Sequence, residues 1–330
     1  MEQPAPNAQR ERLLEYTVPN PIGGVRHQFT QVFIMLFGML GHGKSSLINS
    51  CICVLNNCDF RNYCGAHNTD SASTTARFIY NLTQTLSIVD NRGFNKMNDE
   101  EMLEATAQLR SLRGMGEGEG EVTWGNSYEK TLNQLLSRVT AAQTTCFVPV
   151  LVVSADTPLN SSDTNGLETF VTETFRITGT HPILVITHSN SVHKGNVKKK
   201  FCDLGITHRF SLENYTASNA HRNTIIDNKI LQFLETCTSE AEQGIKIRAG
   251  RPDHFIKQGE MQLHQEIKIQ LGKKQNEIED LKKVKEDLEK EKEGLKKEKE
   301  GLKKEKEDLK KEKEVLEKEL QEEKTKCAIL

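Results

Sequence analysis

The stretch at 38–45 reads G-M-L-G-H-G-K-S, and its residue types suit one task, the holding of nucleotide phosphates. The pattern is G-x-x-x-x-G-K-[ST]. Gly38 and Gly43 free the backbone to aim successive N–H groups at phosphate oxygens. A helix starting just after them adds the partial positive charge of its N-terminus. Lys44 is expected to reach the β- and γ-phosphates, and the Ser45 hydroxyl to bind Mg²⁺. Gly41, His42 and Ser46 complete the expected loop contacts. An ordinary strand–turn–helix corner would leave Lys44 without an anionic partner, which is unfavourable.

A second constellation lies downstream. Asp90-Asn91-Arg92-Gly93 is D-x-x-G after an apolar strand pattern. Asp90 is expected to hold Mg²⁺ through water, and the Gly93 N–H to sense the γ-phosphate. Between the two motifs, Ser73-Thr74-Thr75 supplies a hydroxyl for the metal, with Thr75 favoured over Thr74. Phe94 stands where a small GTPase places its water-orienting Gln, and Phe cannot polarise water. His42 and Arg92 are the alternative contributors, but both are expected to face solvent.

A third set follows the apolar run at 182–186. Thr187-His188-Ser189-Asn190 occupies the place of the base-reading [NT]-K-x-D. There a carboxylate accepts two hydrogen bonds from guanine; the Asn190 carboxamide offers one acceptor. An unmet buried polar group costs about 1–3 kcal/mol, so guanine selection calls for another acidic side chain.

These sites need elements to hold them. The run at 32–37 reads as a buried strand, and Leu47, Ile48, Cys51 and Leu55 recur at helical spacing. Short apolar runs alternate with helical patterns from about 29 to 238, the mark of an α/β domain with a mostly parallel sheet flanked by helices. Further strands are expected at 76–82, 85–89, 145–153, 182–187 and 208–213, the first two forming a hairpin at 83–84. Helices are expected at 45–55, 100–112, 128–139, 163–175, 196–202 and 223–237. Residues 113–120 read as a glycine-rich acidic loop.

Residues 1–28, with four prolines, read as a flexible lead, and 239–260 as a linker. From 261 to 326 the composition becomes that of a charged helix or coiled coil. Leu281, Leu288, Leu295, Leu302, Leu309 and Leu316 fall seven apart at d, while Lys fills most a positions. Two readings stand. One is a weak parallel coiled coil with pairs such as Glu298–Lys303. The other is a lone helix held by same-chain pairs such as Glu293–Lys297 and Glu300–Lys304.

The final residues, Cys327-Ala328-Ile329-Leu330, read as C-a-a-X, with a geranylgeranyl group expected on Cys327. One lipid holds a membrane only marginally, so stable attachment is expected to need oligomerisation.

The formal net charge of −2 gives no basic footprint for nucleic acid. Eight cysteines without a C-x-x-C pair, in a chain with no apolar leader, read as reduced cytosolic thiols rather than a zinc site. The expected location is the cytoplasm and the cytosolic face of a membrane.

With these residues in view, the region from about 30 to 238 resembles septin- and dynamin-related immune GTPases with a P-loop NTPase fold. It is most similar to the interferon-induced 44-like family. The resemblance rests on F-G-M-L-G-H-G-K-S-S-L-I-N-S, S-T-T, D-N-R-G-F, and S-L-E-N-Y-T at 211–216. The immunity-associated nucleotide-binding GTPases are a second likeness. The resemblance implies GTP/GDP and Mg²⁺ as cofactors, with Glu213 and Asn214 near the guanine. It also implies slow or assembly-stimulated hydrolysis, homodimers or oligomers formed through the G domain and coiled coil, and a role in innate immunity. The competing expectation is a non-catalytic nucleotide-binding scaffold that tethers partners through its coiled coil and prenyl group.

Overall fold

A computed structural model describes residues 6–19, 29–64, 77–110, 112, 130, 133–134, 145–157, 159, 161–191, 193–249 and 254–327. The chain divides into two compact units, Met1–Ile267 and Lys268–Leu330.

The first unit is α/β. Its strands are β1 (Gln31–Phe37), β2 (Phe78–Asn81), β3 (Leu86–Asp90), β4 (Thr145–Ser154), β5 (Ile183–Thr187) and β6 (Arg209–Ser211). Its helices are α1 (Pro6–Leu14), α2 (Lys44–Leu55), α3 (Asp99–Leu109), α4 (Ser161–Thr178), α5 (Lys194–Cys202) and α6 (Thr224–Ala249). A last helix, α7 (His254–Cys327), begins here and runs on into the second unit.

The six strands form one sheet in the order β2-β3-β1-β4-β5-β6. All neighbours are parallel except β2 and β3, which form the expected hairpin. At its turn the Leu82 and Thr83 N–H groups both donate to Leu86 O, at 2.9 and 3.0 Å.

Strand β1 explains the layering. A strand points successive side chains to opposite faces, and β1 is apolar on both. Val32, Ile34 and Leu36 enter one core with α1, α2 and α6. Phe33, Met35 and Phe37 enter another with α3, α4 and α5. From β1 the chain proceeds to β3 on one side and later to β4 on the other. The loop after β1 therefore leaves the sheet beside the point where strand order reverses, where open α/β sheets place ligands.

Two segments differ from expectation. Part of the lead is the helix α1, whose first residue is Pro6, a tolerated start because its missing N–H needs no helical partner. Leu13 is buried, Arg10 Nε donates to Val54 O at 2.8 Å, and Arg12 pairs with Glu235 at 2.5 Å. Most of the expected linker is also helical. Ala241 and Ile245 extend the buried stripe of Ile230, Leu234 and Cys237, so α6 continues to Ala249. Helix α7 starts seven residues before the expected 261, and Leu263 and Ile267 are buried on it. Arg110 at the end of α3 donates to Gln262 Oε1 at 2.8 Å. Of the helix expected at 128–139, residues 130 and 133–134 are helical and the rest lie outside the described residues, as does the loop at 113–120.

The second unit is the remainder of α7, with its six d leucines exposed. The expected Glu293–Lys297 pair is present at 3.1 Å.

Gly38 joins the sheet to the loop. Its φ is +147°, and an added Cβ would lie 2.2 Å from Val152 O in β4. Gly38→Ala should lower unfolding free energy by about 2–4 kcal/mol, measured by chemical denaturation. At Gly41 nothing lies within 4 Å, so Gly41→Ala should cost only the left-handed backbone penalty of about 1–2 kcal/mol.

Candidate functional site

Loops leaving the C-terminal ends of β1, β3, β5 and β6 meet at one edge of the sheet. The loop after β1 turns through Gly41 and Gly43, at φ +75° and +84°. Gly43 caps α2 without a side chain. The first-turn N–H groups of an α-helix have no partner within the helix, and here they gain none from a capping side chain.

Lys44 is the first residue of α2 and is 6% exposed. Its Nζ donates to Gly38 O at 3.2 Å and Met39 O at 3.0 Å. Burial pushes its pKa down to about 8, with the Asp90 charge opposing. Next to it, Ser45 Oγ donates to Asp90 Oδ2 at 2.6 Å. Asp90 Oδ1 is buried with no hydrogen-bond partner. Burial raises the Asp90 pKa, and the Ser45 hydrogen bond and Lys44 charge act against that rise. A hydroxyl and a carboxylate with an unmet oxygen form a hard oxygen donor set, which suits Mg²⁺.

The turn after β3 is fastened to this loop. Phe94 N–H donates to Gly38 O, and Leu40 N–H to Phe94 O, each at 3.0 Å. Gly93 fits closely: an added Cβ would lie 2.8 Å from both Lys44 Nζ and Leu40 Cδ2. Phe94 points into the core, its ring centroid 6.3 Å from that of Phe37 and 5.8 Å from that of Phe170.

Residues of two further loops converge on the same edge. Thr187 Oγ1 donates to His42 O at 3.0 Å. Asn214 Nδ2 donates to Gly43 O at 3.2 Å, while its buried Oδ1 has no hydrogen-bond partner. Glu213 Oε1 accepts the Asn190 N–H at 2.7 Å. His188 adopts a left-handed φ of +53°, and its Nδ1 lies 3.1 Å from Ser154 Oγ. The β6 loop is fixed to α2, because Tyr215 N–H donates to Ser50 Oγ at 2.8 Å.

Gly38, Gly41, His42, Gly43, Lys44, Ser45, Asp90 and Gly93 are thus gathered around one loop, joined through hydrogen bonds by Thr187 and Asn214. Glu213 and Asn190 pair beside them. Ser46 lies in the first turn of α2, where its carbonyl accepts from Ser50 Oγ. Thr74 and Thr75 lie outside the described residues. Cys327 ends α7, and 328–330 lie outside the described residues.

Two expectations are overturned. His42 does not face solvent; it is 2% exposed, folded under the loop it belongs to. Arg92 turns back to Glu101 at 3.2 Å. The same Glu101 carboxylate accepts the N–H groups of Asn95, Lys96 and Met97. Sequence reading missed this clasp, although Asn98-x-x-Glu101 is a capping-box signature. Asn98 does cap α3, accepting from Glu101 N–H at 3.0 Å. Ser154 beside His188 carried no sequence signal, being the last residue of an apolar strand.

No protein-family model matches the chain, and no curated protein sequence matches it.

The buried His42 has a pH consequence. Its pKa falls from 6.5 to about 4, chiefly through burial, then through the Lys44 charge. The unfolded chain binds this proton more readily, so stability contributed by neutral His42 is present above pH 6.5 and lost as pH falls toward 4. The loss should approach about 3 kcal/mol. Denaturation of the native chain and of His42→Gln across that range should show the variant losing less.

Proposed function

We propose that this chain binds a guanine nucleotide with Mg²⁺ and acts as a slow GTPase whose loops respond to the γ-phosphate. The observation that carries the reading is the set formed by buried Lys44, the Ser45–Asp90 bond and the unmet Asp90 Oδ1. A buried ammonium bonded to loop carbonyls and a buried carboxylate oxygen without a donor are poorly compensated. Phosphate for the first and a cation for the second would supply what is missing.

In this reading the first-turn amides of α2 and Lys44 hold the phosphates, and Ser45, Asp90 and Thr75 hold Mg²⁺. The ion would polarise the phosphate oxygens. The Gly93 N–H would meet the γ-phosphate; the sheet order, with only β2 antiparallel, is compatible with a P-loop NTPase G domain. Glu213 supplies the acidic group that Asn190 lacks, and its hydrogen bond to the Asn190 backbone supports a place near the base. Glu213, Asn214, Thr187 and His188 then form the base side.

Phe94 facing the core offers no group to orient water, which favours slow turnover and gives weight to a second reading. In that reading the domain binds nucleotide without hydrolysing it and serves as a gated scaffold. Membrane attachment is a separate proposal resting on the C-a-a-X reading of Cys327. Among the described residues no helix is long and apolar enough to cross a membrane.

Nucleotide binding and turnover by the full chain with GTP, XTP and ATP test these roles. Lys44→Ala should weaken GTP binding by about a hundredfold or more, roughly 3 kcal/mol; unchanged affinity would refute the site. Glu213→Gln should lower GTP affinity about tenfold to a hundredfold and favour XTP. A GTP/XTP ratio that moves with Asn190→Asp and not with Glu213→Gln would transfer base reading to Asn190. Binding without turnover at every protein concentration would establish the scaffold.

A further inference from the structure

The second unit presents a stripe of exposed leucines. Leu281, Leu288, Leu295, Leu302, Leu309 and Leu316 are 59–67% exposed, one per seven residues along a helix that is otherwise mostly charged. From the charge pattern flanking this stripe we infer that its occupant is a second copy of this chain, paired parallel and in register as a two-stranded coiled coil. The inference does not depend on the nucleotide reading.

With the leucines at d, position g carries Glu291, Glu298, Glu305 and Glu312, and position e carries Lys296, Lys303 and Lys310. Parallel strands bring g of one chain against e of the next heptad on the other. That gives Glu291–Lys296, Glu298–Lys303 and Glu305–Lys310, each formed twice by symmetry. Antiparallel strands bring g against g and e against e, which would set Glu on Glu and Lys on Lys. The pattern therefore selects orientation.

The lysines at a fit the same arrangement. In a parallel pair an a side chain lies beside the preceding g residue of its partner. Lys292, Lys299, Lys306 and Lys313 then meet Glu291, Glu298, Glu305 and Glu312. Their stems can cover the leucines while the ammonium groups reach outward to the carboxylates. Two strands leave room for this; more strands would bury the lysines.

Most same-chain ion pairs of the tail lie away from the seam. Among the described residues, Lys283, Lys290, Lys297 and Lys311, all at f, pair with Asp280, Asp287, Glu293 and Asp308 on the outer face. Among the described residues Glu291, Glu298, Glu305 and Glu312 and the lysines at 296, 303 and 310 enter none of the tail's ion pairs; nearer its start the g residue Glu277 pairs with Lys274 at 2.7 Å, and Lys313, which reaches Glu317 at 3.7 Å, is the one a lysine that pairs. Register is set by Ile278, an apolar a residue 52% exposed. In register it meets its own copy; a one-heptad slip would oppose it to Lys285. One contact opposes the pairing, Glu312 against Glu317, so the dimer is stable but modest.

Cysteine cross-linking of the full chain tests the arrangement. Leu281→Cys and Leu316→Cys, made separately, should each form a disulfide-linked dimer with itself under mild oxidation. Gly301→Cys, at the outward c position, and the unsubstituted chain control for the native thiols. The two sites are separated by roughly 50 Å of helix, so no antiparallel overlap joins both to themselves. Linking only between a Leu281→Cys chain and a Leu316→Cys chain would overturn the orientation, and no linking at either site would overturn the dimer. In sedimentation equilibrium, Glu298→Lys with Glu305→Lys should weaken self-association at least tenfold. Mixing that chain with one carrying Lys303→Glu and Lys310→Glu should restore it. Failure of the mixture to recover would remove the charge pairing as the cause.

Discussion

The ammonium of Lys44 is enclosed by protein and bonded to two carbonyls of its own loop. That arrangement constrains everything around it. A buried charge must be hydrogen-bonded and offset, and the carboxylate that favours its charged form is that of Asp90. Asp90 is itself disfavoured by burial and leans on Ser45 and Lys44. The three residues come from the starts and ends of β1–α2 and β3, so the sheet must hold those ends in register. The pairing of Leu36 with Asp90 does so. Gly38 and Gly93 are both required by this closeness, since a Cβ at either would strike Val152 O or Lys44 Nζ.

The same edge binds the distant loops to one another through the backbone of the first. Thr187 and Asn214 both donate to carbonyls of the loop after β1, at His42 and Gly43. Tyr215 buries its ring and bonds Asp227 at 2.7 Å, linking this corner to the first turn of α6. Arg222 ties the same Asp227 to the carbonyls of Cys53 and Cys58 at the end of α2. The corner is therefore determined by polar contacts from α2 and α6 together. A ligand entering it would meet preformed walls, which limits the entropy of ordering on binding.

Much of this was legible in the chain because glycine spacing and period-two burial are local properties. The buried strand at 32–37, the hairpin at 83–84 and the helix after Gly43 all follow from such patterns. What was hidden depended on contacts between distant segments. His42 reads as polar in sequence, yet its ring is covered. Arg92 reads as exposed, yet Glu101 draws it inward. The stretch at 1–28 looked unstructured because its prolines outweigh its few apolar residues. Leu13 and the bonds from Arg10 and Arg12 give α1 a place to dock that no local pattern revealed. The extension of α6 was visible in Ala241 and Ile245, but those residues are weak signals without the face they cover. Thr75 remains an expectation from sequence order alone.

Phe94 shows how packing and chemistry compete at one position. Its backbone pairs with Gly38 and Leu40, while its ring joins Phe37 and Phe170 in the core of the α3–α5 face. Such aromatic contacts add roughly 0.5–1.5 kcal/mol per pair beyond burial. A glutamine there would forfeit that packing and bury an amide among rings, so the residue is tied to structure. On its other side the turn is clasped by Glu101, whose carboxylate accepts three consecutive N–H groups. The segment from Gly93 to Met97 is thus anchored at both ends. If nucleotide exchange moves it, the movement would have to begin at Gly93, between the loop after β1 and the aromatic anchor, rather than by release of the whole turn. A mobile glutamine in the usual sense has no place in such a turn. If the chain hydrolyses nucleotide as proposed, the group that orients water has to come from another segment or another copy.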